Sequence, residues 1–235
     1  MNTIFEQAKP IIILFAVCAA LVTGILLLLN SMNGSTNATA VTNETLPEPQ
    51  TVEQLSDYKV DIVNNMNPIA ILNTNKGTIE IELFEHQMPI TAGNFKKLVT
   101  EGFYDGVKFH RVIEGFMIQG GDPITKTDEV LRYGTGGPEY KIPDEHIKGS
   151  LLTNVRGTIA MANSGPNTGG SQFFINLKDN VNLDFDKVPL ESQHPVFGRV
   201  VSGMDVVDAI AKVETSVNDL PLEDIVIETA KIKEE

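Results

Sequence analysis

Between residues 69 and 231 the apolar side chains fall into short alternating runs, and only two stretches keep helical spacing. Thr78-Ile79-Glu80-Ile81-Glu82-Leu83 alternates cleanly, as a strand with one buried face must. Ile69–Leu72, Thr158–Ala162, Phe173–Asn176, Pro195–Val200 and Asp224–Lys231 are further strand candidates. Asn73–Gly77 reads as a hairpin turn between the first two strands. Pro89–Val99 reads as a helix: Pro opens it, Phe95, Leu98 and Val99 share a side, and Gly102 stops it. Met204–Ala211 is the second helix, with Val206, Val207 and Ile210 on one stripe. Many short strands and two helices predict a mainly β fold, an antiparallel sheet or barrel.

The N-terminal quarter has a different character. Ile11–Leu29 is 19 residues without a charge. At about 1.5 Å per residue that length fits one helix across a bilayer core of about 30 Å. Signal peptides carry shorter apolar cores, about 7–15 residues, so the run predicts an uncleaved transmembrane anchor. The alternative is a cleaved signal, with Ala38-Thr39-Ala40 as the cut site and a secreted product. Lys9 precedes the span, and the next Lys or Arg is Lys59. The positive-inside rule then predicts a cytoplasmic N-terminus with the C-terminal domain outside. Residues 30–65 are rich in Asn, Thr, Ser, Pro and Glu, the composition of a flexible linker. Their sequons at Asn33, Asn37 and Asn43 are glycan acceptors on a stalk, or chance products of an Asn/Thr-rich segment. The expected organisation is a tail (1–10), an anchor (11–29), a linker (30–65) and a folded domain (66–235).

A net charge of −13 lacks the basic footprint that nucleic-acid binding needs. Cys18, the single cysteine, sits in the apolar run, so the folded domain has no thiol nucleophile and no disulfide. Gly134-Thr135-Gly136-Gly137-Pro138 is Gly-rich but lacks the Lys-Ser/Thr of a phosphate-binding loop. His86, His110 and His146 are too scattered for a metal site and read as structural or surface residues. Asp184 and Asp186 read as solvated loop residues. No cofactor, metal or nucleic acid is expected.

Three stretches carry the chemistry. Phe109–Asp122 places Arg111, Phe116, Met117 and Gln119 within a dozen residues, with Arg111, Met117 and Gln119 on one parity and a bend at Glu114-Gly115. Gly157–Asn176 carries Ala162, Asn163, Gln172 and Phe174, and His194–Val207 follows. Read without further context, Phe116, Met117 and Phe174 are core packing and Arg111 is a snorkelling edge residue.

Together, in this order, the three stretches resemble the cyclophilin family of peptidyl-prolyl cis-trans isomerases over about residues 67–232. The resemblance implies a closed eight-stranded antiparallel barrel capped by two helices. It implies a catalytic set of Arg111, Phe116 and Gln119, with Gln119 orienting the arginine. Met117, Phe174 and Leu183 would complete the proline pocket with Phe116. Ala162, Asn163, Gln172 and His194 would line the peptide groove, and Gly134 and Gly136 the loop beside a second pocket. The substrates would be exposed or unfolded proline-containing chains, and the role assistance in protein folding. Glu114 stands where many members carry proline, and Asn182 lies nearest to a tryptophan that some members have. The segment from Asp184 to Gln193 is long for the family. A binding module that holds proline segments without turning them over, on the same membrane stalk, is the alternative.

Overall fold

The computed structural model describes residues 67–149, 152–187 and 193–233. The expected tail, anchor and linker lie outside these residues. Among the described residues no helix is long and apolar enough to cross a membrane.

Among the described residues, eight strands and two helices build the domain. The strands are β1 (Ile69–Thr74), β2 (Gly77–Leu83), β3 (Arg111–Ile113), β4 (Met117–Gly120), β5 (Thr158–Met161), β6 (Phe173–Asn176), β7 (Val196–Ser202) and β8 (Ile227–Ile232). The helices are α1 (Pro89–Thr100) and α2 (Met204–Ile210). All pairings are antiparallel, in the order β3-β4-β6-β5-β7-β2-β1-β8. The alternation of β2 is realised as expected: Ile79, Ile81 and Leu83 are buried while Glu80 and Glu82 are not.

The expected closed barrel is instead a curled half-barrel. No strand ladder joins β3 to β8, the two ends of the sheet. The seam is crossed by the segment before β3, which meets the start of β8 and the residues leading into it: Phe109 N–H donates to Ile225 O (2.9 Å) and Ile227 N–H to Val107 O (2.8 Å). The cause is local. β3 is three residues long, and its Val112 N–H donates to Asp219 O (2.8 Å) in a turn rather than to a neighbouring strand.

The core sits between the concave sheet and α1. Phe95 of α1 has ring centroids 4.9 Å from Tyr104, 5.4 Å from Phe173 and 5.2 Å from Phe197. Aromatic pairs in tilted or edge-on geometry add about 0.5–1.5 kcal/mol each to the burial itself. α1 has no local side-chain cap at Met88. Glu145 supplies one from a distant loop, accepting from Ile90 N–H (2.9 Å) and Thr91 N–H (2.5 Å). A carboxylate there satisfies two orphan donors and complements the positive end of the helix.

The reading of Asp184 as a solvated loop residue is corrected. It is buried, and its carboxylate accepts from the Thr153 hydroxyl and from Asn154 N–H (2.8 Å) and Nδ2 (2.9 Å). Asn154 Oδ1 in turn accepts from Asn176 Nδ2 (3.1 Å), and Asn176 Oδ1 from Asn180 Nδ2 (2.8 Å). These polar side chains are buried because each finds a partner. Nothing in the spacing of Asp184 distinguishes such a hub from a surface aspartate.

Candidate active site

The hairpin β3–β4 aligns the candidate residues by register. Arg111 lies opposite Gln119, Gln119 opposite Phe174, and Phe174 opposite Ala160. Ile113 lies opposite Met117. Residues paired in this way share a face of the sheet. Arg111, Met117, Gln119 and Phe174 therefore stand on one face, with Val112, Ile118 and Ile175 on the other. The bend at Glu114-Gly115 does not break the expected parity, because it reverses the chain: Phe116 N–H returns to Ile113 O (3.0 Å).

Chemistry differs along this face. Arg111 is exposed on the end strand, and its Nε lies 3.6 Å from Asp219 Oδ2. Met117, Phe174 and Leu183 are buried, and Phe116 is half-buried against the same apolar cluster. The carbonyl of Phe116 is fixed by Leu177 N–H (2.9 Å) and Asn180 Nδ2 (2.9 Å). His194 meets Phe174 edge-on at 5.3 Å, and its N–H donates to Leu183 O (3.0 Å). Phe174, Leu183 and His194 are thus brought together.

A second group lines a cavity of about 270 Å³. Gln119, Gly134, Gly136, Ala162, Asn163 and Gln172 belong to it, with Lys141 at its wall. Arg111, Phe116, Met117, Phe174, Leu183 and His194 do not line it. Gln119 belongs to both groups. Asn163 Nδ2 donates to Gln193 O (2.7 Å), so its side chain ties the groove to the segment leading to His194.

The side-chain amides form a chain with a fixed polarity. Gln172 Nε2 donates to Gly134 O (2.9 Å) and Gly136 O (2.8 Å). Only the NH₂ end of an amide can donate, so Gln172 must turn its oxygen the other way. That oxygen accepts from Gln119 Nε2 (3.1 Å). Gln119 is left with its own oxygen free to accept, on the residue paired across the hairpin with Arg111. Gln172→Glu would set a carboxylate against two carbonyls, so the side chain loses its anchor on the loop and Gln119 loses its fixed partner. Losing two neutral hydrogen bonds costs about 1 kcal/mol each, so any turnover that depends on this groove is expected to fall by roughly tenfold or more in kcat/KM.

Asp122 holds the loop that starts this chain, and the sequence reading missed it. Its carboxylate is fully buried and accepts from Ile124 N–H (2.8 Å), Gly134 N–H (2.6 Å) and Gly136 N–H (3.2 Å). A Cβ at Gly136 would lie 2.1 Å from Asp122 Oδ1, so only glycine allows this approach. An aspartate before Pro123 signals a helix cap, and it does cap a short 3₁₀ turn. The reach to residues 134 and 136 carries no sequence signal.

Both histidines of this region are held below their ordinary pKa. Burial is the main cause for His194, offset in part by the hydrogen bond between its ring and Met161 O and by Asp144. Burial also lowers His110, with the Asp122 carboxylate offsetting part of it. The unfolded chain therefore takes up protons near pH 6.5, while the folded chain takes them up only at lower pH. Their contribution to stability is complete above that pH and declines as pH falls below it. The urea midpoint is expected to drop between pH 7 and pH 5.5, less steeply in a His110→Gln, His194→Gln double variant.

Residues 69–232 match the family described as cyclophilin type peptidyl-prolyl cis-trans isomerase/CLD. The chain is 43% identical over 157 residues to peptidyl-prolyl cis-trans isomerase CYP18-1 of Arabidopsis thaliana, a match covering 66% of this chain and 89% of that protein. It is 40% identical over 184 residues to peptidyl-prolyl cis-trans isomerase CYP71 of the same plant, covering 77% of this chain. The chain spans only 27% of that longer relative. The crystal structure of a Cryptosporidium parvum cyclophilin type peptidyl-prolyl cis-trans isomerase, in the presence of dipeptide ala-pro, matches with a TM-score of 0.61 and 30% identity, over 71% of this chain and 99% of that one.

Proposed function

The chain belongs to the cyclophilin-type peptidyl-prolyl cis-trans isomerase family, and on that premise we propose that its groove turns X-Pro bonds with Arg111 as the group that favours the twisted amide. Rotation about an amide meets a barrier of about 18–20 kcal/mol, because planarity keeps the C–N bond partly double. When the amide twists, its nitrogen regains a lone pair. A guanidinium can donate to that lone pair only in the twisted form, so it stabilises the transition state over either planar state. Arginine suits the task because it stays charged and presents a rigid fork of donors.

The observation that carries this reading is the cross-strand row Arg111–Gln119–Phe174. It sets a cation, an amide acceptor and an apolar ring side by side. Phe116, Met117, Phe174 and Leu183 would grip the proline ring and strip water from the amide. Ala162, Asn163, Gln172 and His194 would hold the flanking peptide, and the rim at Gly134 and Gly136 would admit a neighbouring side chain. The test is exchange spectroscopy on a proline peptide with catalytic amounts of the full chain. Exchange cross-peaks between cis and trans forms are expected. Saturable binding without exchange would leave a proline-binding module instead.

The enzyme would work on exposed proline-containing chains beside a membrane, tethered by Ile11–Leu29 through the linker at 30–65, with the domain outside the cytoplasm. The uncharged run and the absence of Lys or Arg between Lys9 and Lys59 support this topology. Alkaline extraction of membranes, with protease applied to intact cells, tests it. Release of the protein by carbonate, or protection of the linker from protease, would overturn it.

A further inference from the structure

We propose that Asp219 is a positioning residue for Arg111. The inference rests on the reading of Arg111 given above. β3 pairs with β4 on one side only, so its other side needs a partner. The turn from Thr215 to Pro221 supplies it. Asp219 O accepts from Val112 N–H (2.8 Å), and Asp219 Oδ2 lies 3.6 Å from Arg111 Nε. One residue thus grips both the backbone of the strand and the side chain next to the gripped amide.

The turn is built to hold that residue in place. Thr215 bridges to Pro221, Ser216 N–H donates to Leu220 O (2.8 Å), and Asp219 N–H donates to Ser216 O (3.0 Å). Asp219 has φ 62°, a left-handed conformation uncommon outside glycine and best tolerated by Asn and Asp. The side chain is not needed to allow that conformation, since glycine allows it better. It is needed for what it faces. At 3.6 Å the contact is a Coulombic attraction rather than a hydrogen bond. Both partners are about 40% exposed, so solvent weakens it, and the effect on the fold is small. Its effect on geometry is larger, because it draws the Nε side of the guanidinium towards the turn. Gln119, the residue paired with Arg111, stands on the other side of β3. The two terminal nitrogens are then left for the substrate.

The test uses Asp219→Asn and Asp219→Gly in the full chain. Both accept the left-handed backbone, so the turn and the bond to Val112 persist, and both remove the charge. The expected result is a kcat lower by about two- to fivefold in each, the span of an exposed ion pair, with KM and Tm unchanged. The ¹⁵N–¹H signal of Arg111 Nε, assigned by its loss in Arg111→Lys, is expected to move in both variants. An unmoved signal, an unchanged kcat or a rise in KM alone would overturn the proposal. Arg111→Ala measured in parallel separates the two readings. If that variant keeps full activity, the role given to Arg111 falls, and the Nε signal still decides whether Asp219 holds the guanidinium.

Discussion

Arg111→Ala is expected to lower kcat/KM for a proline peptide by roughly 10- to 150-fold, with the fold intact. The range follows from one charge-assisted hydrogen bond, worth about 1.5–3 kcal/mol, converted at about 1.4 kcal/mol per tenfold. Arg111 is exposed on the end strand, so truncation leaves no cavity and no orphaned core group. Its Val112 neighbour keeps the backbone bond to Asp219. Tm should therefore move little. The loss should fall on kcat more than on KM, because the guanidinium is asked to bond the twisted amide and not the planar one. Arg111→Lys should recover only part of the rate, since an ammonium keeps the charge and loses the fork. A rise in KM with kcat unchanged would mean that Arg111 only binds.

Asp122→Ala is expected to damage both stability and turnover. The carboxylate is wholly buried and takes three backbone N–H groups. Removing it leaves those donors to find water in a loop packed for an acceptor. The loss is about 2–3 kcal/mol, read as a lower urea midpoint. The second effect follows from the chain of amides. Once residues 134 and 136 are released, Gln172 loses the carbonyls that orient it, and Gln119 loses its fixed partner. Turnover measured well below the midpoint should fall at least as far as in Gln172→Glu. Stability lost with turnover intact would show that the loop merely braces the fold. Asp122→Asn should lie between the two, because one oxygen can still accept.

How far the sequence disclosed this molecule depends on the range over which each signal acts. Strands such as Gly77–Leu83 announce themselves because alternation is local, and so does α1, with Pro89 at its start and Gly102 beyond its end. The candidate face was legible for the same reason: Arg111, Met117 and Gln119 keep one parity within a single short hairpin. The partners that act over long range were not legible. Asp219 and Asp122 carry no pattern that separates them from other turn aspartates, and Asp184 was misread as solvated for want of one. Sheet closure failed in the same way. Whether two end strands pair depends on what occupies their free sides, here the turn that carries Asp219, and no periodicity reports that.

A sheet with two ends has two exposed rows of backbone groups, which invite an incoming extended chain to add as a further strand. That hazard is acute for a protein whose proposed clients are unfolded chains. Both ends are guarded in the same manner. On β3, Val112 N–H is spent on Asp219. On β8, Ala230 N–H donates to the Asp105 carboxylate (2.8 Å), and the Ile227 carbonyl accepts from Gly106 N–H (2.8 Å). A visiting polypeptide finds these backbone groups already occupied, so each border offers it a broken ladder to pair with.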